Sequence, residues 1–436
     1  MKEKKRKSRK AKKIKLSAPS EMFNGIKSKV RTNFFHQGSF DVVFACIVLL
    51  LFTVGIIAMY SASYAYATYN RGDANEFFFS QLKNAVIGFV AMAFFSKLDY
   101  RVFNGRFAPF AYIATVLVLI YTLIYNMGSD ADTSRWIYIG GMQIQPSEFA
   151  KFTLIIVMAY MICVMKNALR APKNKIGKFT PDRDTLSDFE RKFFAFARTP
   201  FSACVLLAIV AISYFGLVLL EKHYSAAILL MLMAIAMAWL SGAKKVYFAA
   251  LFAAIGAVVA LVIIKPDILD GFGFAASRIM CWLDKDNPAY IENRRQTVNG
   301  LYAIGSGGLF GVGLGNSKQK QLYIPEPQND FVFPVFCEEF GFIGAAFVII
   351  LFAALICRGF MIAAKCKDMF GSLVVMGIMI QVALQVIINI SVVTDLIPNT
   401  GMALPFFSYG GTALLVLLIE MGIVLSVSRN SKVEKE

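Results

Sequence analysis

The sequence predicts an all-α, polytopic membrane protein with ten transmembrane helices, and three observations predict it. Hydrophobic residues make up 57% of the 436-residue chain and only 17% are charged, against about a quarter charged in soluble domains. The apolar residues fall in blocks near the ~20-residue length that a helix needs to cross a bilayer. Lysine and arginine gather in alternate connections, the pattern of basic loops retained in the cytoplasm.

Taken in order, the ten spans run over residues 40–60, 82–97, 108–127, 147–165, 202–220, 224–241, 246–264, 333–356, 369–391 and 404–427. Ahead of them, residues 1–39 open with "MKEKKRKSRKAKKIK", a like-charge block expected to be disordered. Beside a membrane such a block tethers to anionic lipid headgroups. Much of the net charge of +17 sits there, so the basicity points to a membrane surface and not to nucleic acid. The first apolar run is too long for a signal-peptide core, and no cleavage is expected at the "AYA" of 65–67.

With the N-terminus in the cytoplasm, the basic connections all fall inside. They are "KLDYRVFNGR" (97–106), the Lys/Arg-rich loop 166–198, Lys244 and Lys245, and then Arg358, Lys365 and Lys367. The C-terminal tail 429–436 is cytoplasmic too. The connection 61–81, with one arginine and two acids, falls outside. Residues 40–428 therefore form a ten-span membrane domain, and 265–332 form a large extracytoplasmic loop between spans 7 and 8. Asp330 closes that loop and faces the outer surface.

Cysteine and histidine offer little chemistry. Cys46, Cys163, Cys204, Cys337 and Cys357 lie in apolar runs, Cys366 in a basic loop and Cys281 alone in the outer loop. No spacing matches a redox or zinc pattern, so buried small hydrophobes are expected. His36 and His223 are too few to build a histidine metal site.

Four stretches carry ionisable or glycine-rich signals, and each has two readings. Asp330, in "PEPQNDFVFPVF", precedes an apolar helix, where an aspartate caps free amides or serves as a catalytic carboxylate. Glu148 and Lys151, in "QPSEFAK", are three apart and share one helix face. They form either a static ion pair or a substrate contact, since charges at membrane depth face a cavity or a partner. Glu338 and Glu339, deeper in the same span as Asp330, suit bonds to neighbouring helices. The glycine-rich "LYAIGSGGLFGVGLGNSKQKQ" (301–321) lacks the features of a nucleotide loop. Its Ser317, Lys318, Gln319 and Lys320 could hold a phosphate or sugar, or the glycines could serve packing alone. Finally, "IPNTGMALPFFSYGG" (397–411), which includes Ser408, breaks the chain before the last span. Non-helical backbone at that depth requires a protein or water-filled surround.

At these motifs the chain resembles the SEDS proteins (shape, elongation, division and sporulation), whose members include FtsW, RodA and SpoVE. "MYSASYAYA", "RWIYIGGMQIQPSEFAK", "AIGSGGLFGVGLGNSKQ", "YIPEPQNDFVFPVFCEEFGFIG" and "IPNTGMALPFFSYGG" are similar to its signatures, in order, from about residue 40 to 429. The last of them looks more like the division and sporulation branch than the elongation branch.

The resemblance implies a peptidoglycan glycosyltransferase in the bacterial plasma membrane. It would polymerise lipid II, the undecaprenyl-diphosphate-linked disaccharide peptide, at the outer face of that membrane. A class B penicillin-binding protein would supply the transpeptidase, within a divisome or elongasome. The family's catalytic aspartate falls on Asp330, and its Glu–Lys pair on Glu148 and Lys151. Arg135, Lys151, Arg278, Lys318 and Lys320 are the expected cations for the leaving diphosphate. A bound divalent cation could share that role, and no cofactor is specified. One departure is "EKHYSAA" (221–227), where many members carry an acidic residue and "GTA". A lipid II flippase and a non-catalytic scaffold for the transpeptidase are the rival expectations.

Overall fold

A computed structural model describes residues 39–126, 135–139, 142–170, 200–265, 273–285 and 287–433. Most of the basic N-terminal block, most of the loop 166–198, part of the loop 265–332 and residues 434–436 lie outside the described residues. Twelve α-helices occur among those described. They are α1 (Val42–Arg71), α2 (Glu76–Lys97), α3 (Phe107–Asn126), α4 (Pro146–Arg170), α5 (Pro200–Leu220), α6 (Tyr224–Leu240) and α7 (Lys245–Ile264), then α8 (Gly273–Leu283), α9 (Ile291–Ser306), α10 (Val332–Lys365), α11 (Met369–Val393) and α12 (Gly411–Val433).

Ten of these coincide with the expected apolar blocks, and α8 and α9 lie in the long connection. Seven helices (α1 to α4 and α10 to α12) are long and apolar enough to cross a membrane by length and composition. The described apolar stretches of α5, α6 and α7 are shorter.

The apolar windows of α4, α11 and α12 are 67%, 67% and 78% buried, against 28% each for α2 and α3. The first three are therefore the inner layer. Exposed Val86, Val90, Phe110 and Ile113 show that the outer helices turn apolar side chains outward, as a lipid-facing surface requires. The cysteines divide the same way, which corrects the expectation of uniform burial. Cys281 and Cys337 are buried, whereas Cys46 and Cys357 are exposed on helix surfaces.

Two features depart from a plain all-α bundle. Residues Ile137–Ile139 and Met142–Ile144 form an antiparallel hairpin, β1 and β2, with Ile137 opposite Ile144 and Tyr138 opposite Gln143. Ile137, Tyr138 and Ile139 precede the Gly140–Gly141 pair and Met142, Gln143 and Ile144 follow it, and a Gly-Gly pair between short strand-forming runs is a hairpin signal. The second departure is a break in α10 at Gly341, whose φ of 65° and ψ of −166° are non-helical. There the glycine-rich segment docks by backbone bonds from Phe342 N to Gly308 O (2.9 Å) and from Val312 N to Glu338 O (3.0 Å). A Cβ on Gly341 would sit 2.3 Å from Gly311 N, so only glycine admits this approach.

Candidate active site

Asp330 lies in the turn just before α10, but it does not cap that helix. The cap position is Phe331, and no side chain accepts from the first amides. The capping reading is thereby corrected. The Asp330 carboxylate instead faces a group of polar side chains from three other parts of the chain.

Gln296 on α9 donates to Asp330 Oδ1 at 3.3 Å and to Pro325 O at 3.2 Å. Asn399, in the unwound stretch before α12, donates to Gln296 Oε1 at 3.1 Å. Arg278 on α8 donates to the Asn399 carbonyl at 3.0 Å. Gly401 completes the wall with a φ of 68°. A Cβ there would lie 3.5 Å from Asp330 Oδ2 and 3.8 Å from Arg278 Nη1. The unwound stretch thus brings its backbone within contact of both the acid and a guanidinium.

Beneath the carboxylate, the buried Asn389 of α11 donates to the Asp330 carbonyl at 2.9 Å and to the Met402 carbonyl at 2.7 Å. Tyr409 N donates to Gln328 O at 2.8 Å. Two non-helical segments distant in sequence are thereby fixed to each other and to one inner helix.

Electrostatics set the chemistry of this group. Burial pushes the Asp330 carboxyl up from the ordinary aspartate value to about 6, and Arg278 and Gln296 partly oppose the rise. Burial lowers Arg278, while the Asp330 charge pulls it back up. Arg135 behaves in the same way, and its buried Nε has no hydrogen-bond partner among the described residues. A carboxylate with a raised pKa facing two desolvated guanidinium groups is the arrangement expected of a base beside an anion site.

A second polar group surrounds the start of α4. Lys151 Nζ and Glu148 Oε2 pair at 2.7 Å, both nearly buried, so the expected ion pair is present. His223 Nδ1 lies 3.0 Å from Ser147 Oγ and 3.4 Å from Gln145 Nε2. Burial, helped by the Arg135 and Lys151 charges, holds His223 down at about 3, as a neutral imidazole. Nearby in sequence, burial raises Glu221 to about 8. The hydroxyl of Ser225 donates to the Thr400 carbonyl, which joins this group to the Asp330 wall.

The serine–lysine stretch after the glycines has a different part. Ser317 Oγ donates to Glu338 Oε2 at 2.5 Å, and the Lys318 and Gln319 amides donate to the same carboxylate at 3.1 and 3.2 Å. Lys320 Nζ binds Glu339 Oε1 at 2.7 Å and Ser61 Oγ at 2.8 Å. Ser317 and Lys320 are buried in these bonds. They clamp the segment to α10 through its two glutamates. The exposed Lys318 side chain is the one ammonium of the pair left at the surface. Ser408 likewise serves the backbone, accepting from Leu404 N at 2.8 Å.

Between α8 and α9 a polar cavity of about 110 Å³ adjoins the Asp330 group, lined by Arg278, Trp282, Arg294, Gln296, Thr297 and Asn399. Asp395 borders it and receives Lys285 at 2.7 Å and Arg294 at 3.0 Å. Among the described residues no three His, Cys, Asp or Glu side chains come together as metal ligands. Arg278 is the positive charge that acts on Asp330, and Glu326 is a negative one.

Gln296, Asn389 and Asn399 were not singled out from the sequence. Asn389 had a signal, since Gln381, Gln385 and Asn389 recur at four-residue steps in an otherwise apolar span. Nothing local marks Gln296, and Asn399 stands within the broken 397–411 stretch without a mark of its own; the fold brings Gln296 to Asp330 and Asn399 to Gln296.

Comparison with known proteins follows this geometry. The sequence profile described as "Cell cycle protein" (FtsW, RodA, SpoVE) matches residues 41–433. Stage V sporulation protein E of Bacillus subtilis is 35% identical over 402 residues, covering 90% of this chain and 98% of that protein. The probable peptidoglycan glycosyltransferase FtsW of the same organism is 32% identical, covering 89% of this chain and 91% of its own length.

The fold is similar to a chain of a solved peptidoglycan synthase complex, with a TM-score of 0.67 at 22% identity, covering 90% of this chain and 99% of that one. It is also similar to the crystal structure of the Thermus thermophilus rod shape determining protein RodA. There the TM-score is 0.58 at 23% identity, covering 90% and 98% of the two chains. By a match that runs through nearly all of its described helices, the chain belongs to the FtsW/RodA/SpoVE family.

Proposed function

We propose that this chain is a peptidoglycan glycosyltransferase that polymerises lipid II, with Asp330 as the general base. The observation that carries the reading is the Asp330 carboxylate, raised to about 6 by burial and set beside Arg278 and Gly401 at the mouth of the bundle. At neutral pH such a group is mostly ionised, yet more basic than a free aspartate.

In the proposed step the 4-hydroxyl of an acceptor sugar attacks the anomeric carbon of the donor. Its proton passes to Asp330, an assistance worth about 10² to 10⁴ in rate. The bond from the anomeric carbon to the diphosphate breaks, and the lipid diphosphate leaves. Arg278 and Arg135 supply positive charge where that negative charge develops. Gln296 and Asn389 hold the base in place. Membrane burial of the helices keeps a polyprenyl tail in lipid while its sugar reaches the polar end.

Ten crossings of the plasma membrane with both termini cytoplasmic fit this reading, because the basic connections and Asp330 then fall on opposite faces. A class B penicillin-binding protein is the fitting partner, since one relative by fold is a chain of a peptidoglycan synthase complex. The sequence relatives carry names from both sporulation and the FtsW group, in keeping with a division or sporulation role.

The test is polymerisation of labelled lipid II by the purified chain with its transpeptidase partner, under moenomycin to silence classical glycosyltransferases. Glycan strands from the unsubstituted chain, with none from Asp330→Asn, are the expected result. Equal products from both would remove Asp330 as the base. A flippase reading is favoured by one feature, a cavity within the bundle lined by Glu148, Gln381, Gln385 and the unwound Ala403–Phe406. Movement of lipid II between leaflets without strand formation would bring it forward.

A further inference from the structure

Most side chains of α2 face outward. Its buried positions, Phe77, Gln81, Ala85, Gly88, Met92 and Ser96, form one stripe at three- and four-residue steps. That stripe packs along α12, where a Cβ on Gly88 would meet Leu418 and one on Gly422 would meet Met92. Small and apolar residues suffice for such a contact between membrane helices. Gln81 is the exception. It is 2% exposed, and a buried amide is costly unless hydrogen bonds replace its water.

Both ends of that amide are used, and on one short piece of backbone. Gln81 Nε2 donates to the Ser408 carbonyl at 3.3 Å, and Gln81 Oε1 accepts from Gly410 N at 3.2 Å. These two residues flank Tyr409 in the unwound stretch before α12. The Tyr409 amide takes a different partner and donates to Gln328 O at 2.8 Å. Its side chain leans back on α2, with the hydroxyl 3.1 Å from Ser80 Oγ and the ring centre 4.9 Å from that of Phe77. Gln328 is 2% exposed and stands two residues before Asp330.

Three consecutive residues therefore link α2 to the loop that carries the acid. Non-helical backbone at this depth needs polar partners, and Gln81 supplies two at once. By fixing the Ser408 carbonyl and the Gly410 amide, it sets the direction of the Tyr409 N–H between them. Without it the turn is free to rotate, and Gln328 O loses its fixed donor. The carboxylate two residues on moves with that loop, and a misplacement of about 1 Å at reacting atoms costs about 10²-fold in rate.

We propose that Gln81 is a positioning residue for Asp330, acting through Ser408–Gly410 and Gln328. It bonds only to backbone and works at a distance from the reacting atoms. The inference rests on the reading of Asp330 as the base, and it adds a support from α2 to those from α9 and α11.

The experiment compares the unsubstituted full chain with Gln81→Met, which keeps the side-chain length and loses both hydrogen bonds. Ser96→Ala is the control, since Ser96 is buried on the same helix but bonds to Ala93 O. Strand synthesis with the transpeptidase partner gives kcat and KM for lipid II. Hydrogen–deuterium exchange is followed on the same chains in the same detergent. Gln81→Met is expected to lower kcat roughly tenfold or more with KM unchanged. Exchange over residues 326–331 should quicken about threefold or more, while α4 and α11 exchange as before. Ser96→Ala should alter neither.

Unchanged kcat, a change confined to KM, or unchanged exchange over 326–331 would overturn the proposal. Faster exchange in every helix would overturn it too, as a general loosening. If Gln81→Met yields no folded protein, Ser80→Ala decides, because it removes only the hydroxyl beside Tyr409. A fall in kcat of about threefold at constant KM then supports the link, and an unchanged kcat removes it. If the unsubstituted chain makes no strands, the reading of Asp330 falls, and exchange over 326–331 still decides whether Gln81 holds that loop.

Discussion

Asn389 joins Asp330 to the unwound segment: its one amide group donates to the Asp330 carbonyl at 2.9 Å and to the Met402 carbonyl at 2.7 Å. The residue is fully buried in the inner helix α11. The acid is therefore held by α11 through its backbone carbonyl and by Gln296 through its carboxylate. Asn389→Leu leaves two buried carbonyls unpaired, at about 1–3 kcal/mol each. We expect strand synthesis at least tenfold slower and a lower melting temperature, whereas Asn389→Ser should recover part of both. Initial rates and thermal unfolding on the same preparations check this.

Asp330→Asn should abolish polymerisation without lowering stability. The folded-state pKa is raised, to about 6, above the ordinary aspartate value. Stability is then highest below the unfolded pKa and falls as pH rises toward 6, because the folded state holds the proton more tightly. At neutral pH the ionised carboxylate is a net cost, and the neutral amide removes it. The expected melting temperature at neutral pH is unchanged or higher. A marked drop would mean that the carboxylate serves the fold.

The same raised value fixes the pH profile. A base must be ionised, so kcat/KM for strand synthesis should climb through an acid limb near pH 6 and level off above it. A limb near the value of a free aspartate would place the base elsewhere. The profile is measured with lipid II in a constant detergent and buffer series.

Lys320→Met tests the clamp on the glycine-rich segment. It strips Glu339 of its buried partner at 2.7 Å, and breaking one side of such a pair costs about 3–5 kcal/mol. A lowered melting temperature and poor recovery of monodisperse protein are expected. Lys318→Met, at an exposed side chain, should leave both unchanged.

Gly341→Ala should behave as a folding defect as well. The φ of 65° disfavours any side chain, and its Cβ would meet Gly311 N at 2.3 Å. Separation of the glycine-rich segment from α10 should appear as faster proteolysis near residues 307–315, which limited digestion measures directly.

Much of the architecture was open to reading because a bilayer imposes a simple rule. Apolar blocks long enough to cross it, broken by charges, located all ten apolar helices, although α1 runs on to Arg71 against an expected end at 60 and α12 starts at Gly411 against 404. The pair Glu148–Lys151 was legible for a similar reason, since residues three apart on a helix must share a face. The hairpin strands at 137–139 and 142–144 are harder to read, because three residues on each side of a Gly-Gly pair do not stand out among membrane-length apolar blocks.

The side chains around Asp330 were another matter. Local sequence offered a helix cap for Asp330, which the fold does not form, and gave no sign of the partners that Lys320 meets. Whether a buried lysine meets a substrate or a glutamate depends on what packs opposite it, and Glu339 and Ser61 reach Lys320 from separate elements.

By itself, then, the sequence determined that this is a bundle of membrane-length apolar helices with its acid next to α10, since hydropathy and periodicity act locally along the chain. Only the tertiary structure decided that Gln296, Asn389, Asn399 and Arg278 gather at Asp330, and that Glu420 and Gln381 meet in the interior. Those meetings join residues as many as 121 positions apart, as Arg278 and Asn399 are. They arise because buried polar groups must find partners wherever packing brings them, and local periodicity carries no record of that search.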